Sequence, residues 1–195
     1  MKWLEDRAGV WSKYRESNGK SIQLENEADA NEFLLPYFSK NSGKFWSKDY
    51  IDNIKSILPN ASSGIIQAWN PGCGKGYESY SISAMLKSHY GESVQVKIHS
   101  GDSDLLSISA APGLIFAKSD IPEEFFDYLI ESSNGYQFNK MIKDSIRFEY
   151  NDVNNSDHFG GYMFICARDI ISYLDEDKQN AFISTLSKKM KTGGI

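Results

Sequence analysis

The strongest constraint on this chain lies between Gly64 and Gly91. A short apolar run, Gly64 to Trp69, is followed by glycines at 72, 74 and 76. Beyond them Ile82, Met85, Leu86 and His89 recur at helical spacing, and Gly91 supplies a C-terminal stop. Buried strand, glycine turn and helix are the parts from which an open α/β fold builds a ligand crevice at the carboxyl end of its first strand. The glycines let the main chain approach a ligand, and the helix N-terminus presents unpaired N–H groups to it. The same spacing occurs in plain strand-to-helix turns, so residue identity has to separate the options.

Two nucleotide loops fail on spacing. A Walker-type loop needs Gly, four residues, then Gly-Lys-Ser/Thr, whereas Gly74-Lys75 is followed by Gly76, and Trp69 stands five positions before Gly74. A dinucleotide fingerprint wants GxGxxG, and Tyr77 occupies the third glycine position. What remains is closest to the glycine loop of S-adenosylmethionine methyltransferases. The string Trp69-Asn70-x-Gly72-Cys73-x-x-Gly76-x-Glu78-x-Tyr80-Ser81-Ile82 resembles the signature W-N-A-G-C-S-T-G-E-E-P-Y-S-I of the chemotaxis receptor methyltransferases, the CheR family.

Composition narrows the partners. The net charge of −5 over 195 residues argues against nucleic acid or an anionic membrane as main partner, and no apolar run reaches the ~18 residues of a membrane span, which argues against membrane insertion. Two cysteines, Cys73 and Cys166, suggest reduced thiols in a cytoplasm, and the scattered His89, His99 and His158 form no metal-ligand spacing.

Residues 1–60 read as a helical segment and 61–195 as the α/β domain. Trp3, Leu4, Val10, Trp11 and Tyr14 make a stripe ending near Gly19, and a second helix follows Ser21. Strands are predicted at 64–70, 94–99, 145–152 and 162–167, in a mainly parallel sheet with helices on both faces. Residues 110–142 read as an inserted subdomain whose Asn134-Gly135 marks a hairpin. Asp175 caps a last helix, and Gly193-Gly194 stops it. The chain then ends at Ile195, where the family continues into further strands, so a clipped or partial domain is expected.

The resemblance implies a Rossmann-like fold, S-adenosyl-L-methionine as cofactor, and chemoreceptors with their array proteins as partners. Its cofactor positions fall on Gly72, Gly74, Gly76 and Glu78, on Asp102 for the ribose, and on Asp152 and Val153 for the adenine. Asp102 or Asp104 reads equally well as a helix cap. Tyr173 falls on the family's active-site tyrosine, while Arg168 and Asp169 are also readable as a salt-bridged strand end. The family motif T-x-F-F-R-D corresponds to Gly43-Lys44-Phe45-Trp46-Ser47-Lys48, so its arginine is Ser47 here. Lys48, one position along, is a point charge and not a planar fork.

Methyl transfer to a carboxylate depends on positioning and charge placement more than on acid–base groups. Ser47, a bulky Tyr77 beside the expected methionine moiety and a cationic Lys75 all bear on the cofactor. They predict weak binding of S-adenosylmethionine and lost catalysis. The sequence therefore reads as a catalytically degenerate interaction or scaffold module of chemoreceptor arrays. The alternative is an active protein-glutamate O-methyltransferase, and a third option is a non-catalytic sensor of S-adenosyl compounds. Trp3, Trp11, Tyr14, Tyr37 and Phe38 lie outside the sheet scaffold. Part of this set is expected to be exposed for a partner or for self-association.

Overall fold

The computed structural model describes residues 2–37, 41–61, 64–153, 160–171 and 174–195. The chain forms two compact units, Met1–Lys40 and Asn41–Ile195.

The first unit pairs α1 (Lys2–Ser17) with α2 (Glu27–Leu34), whose first turn is capped by the Asn26 side chain accepting from the Asp29 N–H. Trp11 is its centre. Its indole N–H donates to the Ile22 carbonyl at 2.8 Å, and its ring lies 5.6 Å from the Arg7 guanidinium and 4.8 Å from that of Arg15. Phe33 meets it edge-on at 5.5 Å. Arg15 is itself buried and ion-paired to Asp29 at 2.9 Å and Glu32 at 3.5 Å, so desolvation of the cation is offset by two carboxylates and the Trp11 ring.

In the second unit, α3 (Lys48–Ile57) precedes β1 (Gly64–Pro71), α4 (Tyr77–Tyr90), β2 (Val94–Asp102) and α5 (Leu105–Ala110). The insert follows, with an antiparallel hairpin of β3 (Leu129–Ser132) and β4 (Gly135–Phe138). Ser132 pairs with Gly135 across the Asn134 turn, as the sequence predicts. Then come α6 (Lys140–Lys143), β5 (Ile146–Tyr150), β6 (Phe164–Ile165) and α7 (Glu176–Lys189). The main sheet runs β5-β2-β1-β6, and every pair is parallel. The predicted neighbours 64–70 and 162–167 do meet, through Ala68↔Phe164 and Trp69↔Ile165. The run 162–167 contributes only two residues of ladder.

The two faces of the sheet are packed differently. One is covered by α4, where Tyr80, Ile82, Met85 and Leu86 are fully buried with Ile66, Ala68, Val96 and Ile98. Serine and alanine at 79, 81, 83 and 84 are also buried, and their small side chains let the helix lie close on the strands. The other face is seated by α7 only at one end, where Phe182 packs on Trp69 and Tyr162. Towards β2 and β5 that face is polar, with Gln95, Lys97 and Arg147 exposed, as the clean alternation of β2 requires. Among the described residues, no helix is long and apolar enough to cross a membrane.

Candidate functional site

The carboxyl ends of β1, β2, β5 and β6 converge on the loop Gly72–Gly76. Gly76 has φ +90° and caps α4, and a Cβ there would meet the Phe148 ring at 2.9 Å. Gly72 has φ +67°, and a Cβ would meet Ile170 Cδ1 at 2.7 Å. Glycine is demanded at both ends by conformation and by close approach together. Between them the loop is open: a Cβ on Gly74 would meet nothing within 4 Å, and Lys75 is exposed. The Cys73 N–H ties the loop to the end of β2 by donating to the Gly101 carbonyl at 3.1 Å.

Asp102 sits at that strand end, half-buried. Its Oδ2 accepts from the Gly74 N–H at 2.7 Å, and its Oδ1 accepts from the Asp104 N–H at 2.9 Å. Asp104 takes the capping role, accepting from the Leu106 N–H and the Ser107 hydroxyl, which hold its carboxyl below the usual carboxylate range. The helix cap therefore belongs to Asp104, and Asp102 is not the cap. Each carboxylate oxygen of Asp102 has two acceptor positions and spends one on the main chain. One remains on each, the donor count of a vicinal diol. The Asn151 N–H donates to the Asp102 carbonyl at 2.9 Å, so Asp152 and Val153 follow directly at the neighbouring strand end. An open glycine loop with a braced carboxylate beside it fits a nucleoside such as that of S-adenosylmethionine.

Glu78, in the first turn of α4, has different company. Its Oε1 accepts from the Trp46 indole N–H at 3.1 Å and pairs with Arg168 Nε at 3.1 Å, while its Oε2 accepts from the Asn70 amide at 2.9 Å. Asn70 is fully buried and also donates to the Cys166 carbonyl at 3.0 Å, and its own oxygen accepts from the Ser79 hydroxyl at 2.8 Å. Arg168 lies 6.0 Å from the Trp46 ring and 5.6 Å from that of Tyr50. The next residue, Asp169, is the single non-glycine with positive φ (61°) among the described residues. Sequence reading missed Trp46 and Asn70 as members of this node. The W-N pair at the strand end was the available signal, but partners up to 96 residues away could not be assigned from it.

Two expectations change, and a third position gains a structural role. Tyr77 does not crowd the loop: its half-buried ring packs against the core between Phe45 at 5.0 Å and Phe116 at 5.3 Å. Lys75 points to solvent and acts on Asp104. Ser47 is the N-cap of α3, its hydroxyl accepting from the Tyr50 N–H at 3.4 Å, while Lys48 is exposed and ion-paired to Asp52. Tyr173 lies outside the described residues. Burial raises the Cys73 thiol to about 12, with the Asp102 charge adding to it, and burial raises Cys166 as well, so both stay neutral.

No curated protein matches the sequence. Among solved structures, the glycopeptide N-methyltransferase MtfA complexed with sinefungin is similar at 9% identity and TM-score 0.47, covering 81% of this chain and 51% of its own. A SAM-dependent methyltransferase from Thiobacillus denitrificans in complex with S-adenosyl-L-homocysteine is similar at 9% identity and TM-score 0.47, covering 84% and 52%. The chain spans about half the length of these structures. The family "CheR methyltransferase, SAM binding domain" matches residues 40–195, which takes in the parallel sheet, the glycine loop and both carboxylates. The chain belongs to the CheR methyltransferase family, and its second unit is that family's SAM-binding domain.

Proposed function

We propose that this domain binds an S-adenosyl ligand but transfers methyl groups poorly, and acts as an interaction module in chemoreceptor signalling assemblies. The observation that carries the reading is position 47. A serine there is committed to capping α3, and the neighbouring lysine is turned to Asp52, so neither presents a guanidinium to the crevice. S-adenosylmethionine, when bound, supplies an electrophilic methyl group. The chain's own part is to bind the nucleoside through Asp102 and the glycine loop, and to orient an acceptor, for which position 47 offers no planar fork. With Tyr77 in the core and Lys75 in solvent, the expected obstacles to binding are gone, which favours a used pocket over a dead one. For the partner surface, Val10 and Tyr14 are exposed on one face of α1, whereas Trp11 is buried. The side chains of Trp3 and Tyr37, and Phe38 entirely, fall outside the described residues.

A second reading, an active protein-glutamate O-methyltransferase, is favoured by one feature. The Arg168 guanidinium lies over Trp46 and Tyr50, on either side of position 47, and so supplies a positive charge nearby. Calorimetry with S-adenosylhomocysteine and labelled-methyl incorporation into a chemoreceptor cytoplasmic fragment separate the two. The proposal expects micromolar binding with negligible incorporation, and a gain of incorporation in Ser47→Arg despite about 1 kcal/mol lost with the helix cap. Turnover by the unaltered chain at the rates of about 1 per second or more usual for enzymes would replace the first reading by the second.

A further inference from the structure

Helix α1 lies outside residues 40–195, for which the family accounts. Its buried side carries Trp11 and Arg15 and is used within the first unit. A second side is left open. Val10 and Tyr14, one turn apart, are 58% and 44% exposed, and the Tyr14 ring is backed by that of Trp11 at 6.4 Å. Asp6 and Lys13 flank these two along one edge, because seven residues make close to two turns of helix. Both are exposed, and neither is ion-paired among the described residues. They stand about 10 Å apart along the axis, too far to pair with each other.

That spacing is self-complementary. Asp6 precedes Val10 by four residues and Lys13 follows it by three, about 6 and 4.5 Å along the axis. Turned over about a two-fold near Val10, a second helix brings its Lys13 level with Asp6 to within about 1.5 Å, and its Asp6 level with Lys13. Tyr14 of each copy then falls level with Arg7 of the other, whose guanidinium is fixed by the Glu32 and Phe33 carbonyls. In a parallel pair this edge faces the opposite edge of the second helix, and both charges stay unmatched. We propose that this face of α1 is a self-association surface, on which a second copy of the chain docks antiparallel, with Val10 at the centre and two Asp6–Lys13 ion pairs at the rim. The inference rests on the partner-surface reading of Val10 and Tyr14 above and names the partner; it does not depend on an S-adenosyl ligand. A helix of 16 residues gives a contact well below the ~800 Å² per partner of a standard interface, so the dimer is weak and concentration-dependent.

Sedimentation equilibrium of the full chain tests it, with an expected dissociation constant of about 100 μM. Val10→Asp should weaken association by more than about tenfold, since it sets two carboxylates at the centre of the contact. Asp6→Lys and Lys13→Asp each turn both rim pairs from attraction to repulsion, and each should weaken association by about three- to tenfold. The two single reversals change the net charge in opposite directions, so non-specific repulsion would not weaken both. Asp6→Lys combined with Lys13→Asp should restore the unaltered affinity to within about threefold. Effects of the two reversals on the helix itself act in the same direction and would add, so restoration reports the intermolecular pairs. A monomer at every concentration, single reversals without effect, or a double reversal no better than the singles would each overturn the inference. If Val10→Asp does not fold, the exposed charge pair decides. Binding of a chemoreceptor cytoplasmic fragment, measured in parallel, separates this inference from the reading beneath it. If the chain stays monomeric but Val10→Asp loses the fragment, the face serves another partner and only self-association falls. If Val10→Asp changes neither, the partner-surface reading falls with it.

Discussion

Two carboxylates stand at the carboxyl end of the sheet, and they are held in opposite ways. Asp102 is braced by two main-chain N–H groups, at 2.7 and 2.9 Å, and no ion pair to it is formed among the described residues. Glu78 is gripped by side chains from a segment before α3, from β1 and from the turn after β6, and one of them is a guanidinium. Neutral donors orient a carboxylate without cancelling its field, whereas a cationic donor spends the field inside the protein. The first arrangement leaves a group ready for a ligand. The second joins distant parts of the chain.

The contrast can be broken at its structural side first. Asn70→Ala strips Glu78, the Cys166 carbonyl and the Ser79 hydroxyl of a buried partner at once, and it should lower unfolding free energy by about 3 kcal/mol in urea titrations. A loss below about 1 kcal/mol would mean that the node is not an architectural joint. On the ligand side, Asp102→Ala should weaken S-adenosylhomocysteine binding by about 100-fold while moving the urea midpoint little, since the two N–H groups it frees can turn to water. If stability falls as far as in Asn70→Ala and affinity does not, the two carboxylates have the reverse division of labour.

The smallest effect sharpens the electrostatic background. Burial lowers the pKa of His99, which faces Glu149 at 3.9 Å with Arg147 and Lys97 nearby. Its folded value lies below the unfolded 6.5, so the unfolded chain binds the proton more readily. Stability should therefore rise with pH through the region just below and around 6.5, and His99→Gln should flatten that slope. The raised thiols act at the other end. Their folded values exceed the unfolded 9.0, so stability is lost as pH climbs above 9.0.

Short apolar runs at 64–70 and 162–167, alternation at 94–99 and 145–152, and the Asn134-Gly135 turn dipeptide placed the four parallel strands and the hairpin, because all of these are properties of short segments. The loop's glycines and Asp102 were legible for the same reason. Tyr77 was misread, although it shares a helical face with Tyr80 and Ala84, the spacing that should have turned its ring to the core. Resemblance to a loop motif outweighed helical period at that position. The grip on Glu78 was not legible, since it depends on which strands become neighbours. Arg168 could be read only as paired with something, and its near contact with Asp169, at 3.8 Å, is secondary to Glu78.

The strand order has a consequence for how the chain reaches this state. Strand β1 sits between β2, which follows it closely, and β6, whose contact through Asn70 and Cys166 spans 96 residues. During synthesis one side of β1 finds its partner early, while the other side waits, with its main-chain groups unpaired, until Phe164 and Ile165 emerge. Contacts of such long range form slowly, and an open strand side in the interval invites mispairing. The ligand crevice is built where this late seam closes, and Glu78 gains its cation in the same event. Closure of this seam and assembly of the Glu78 node are therefore one step.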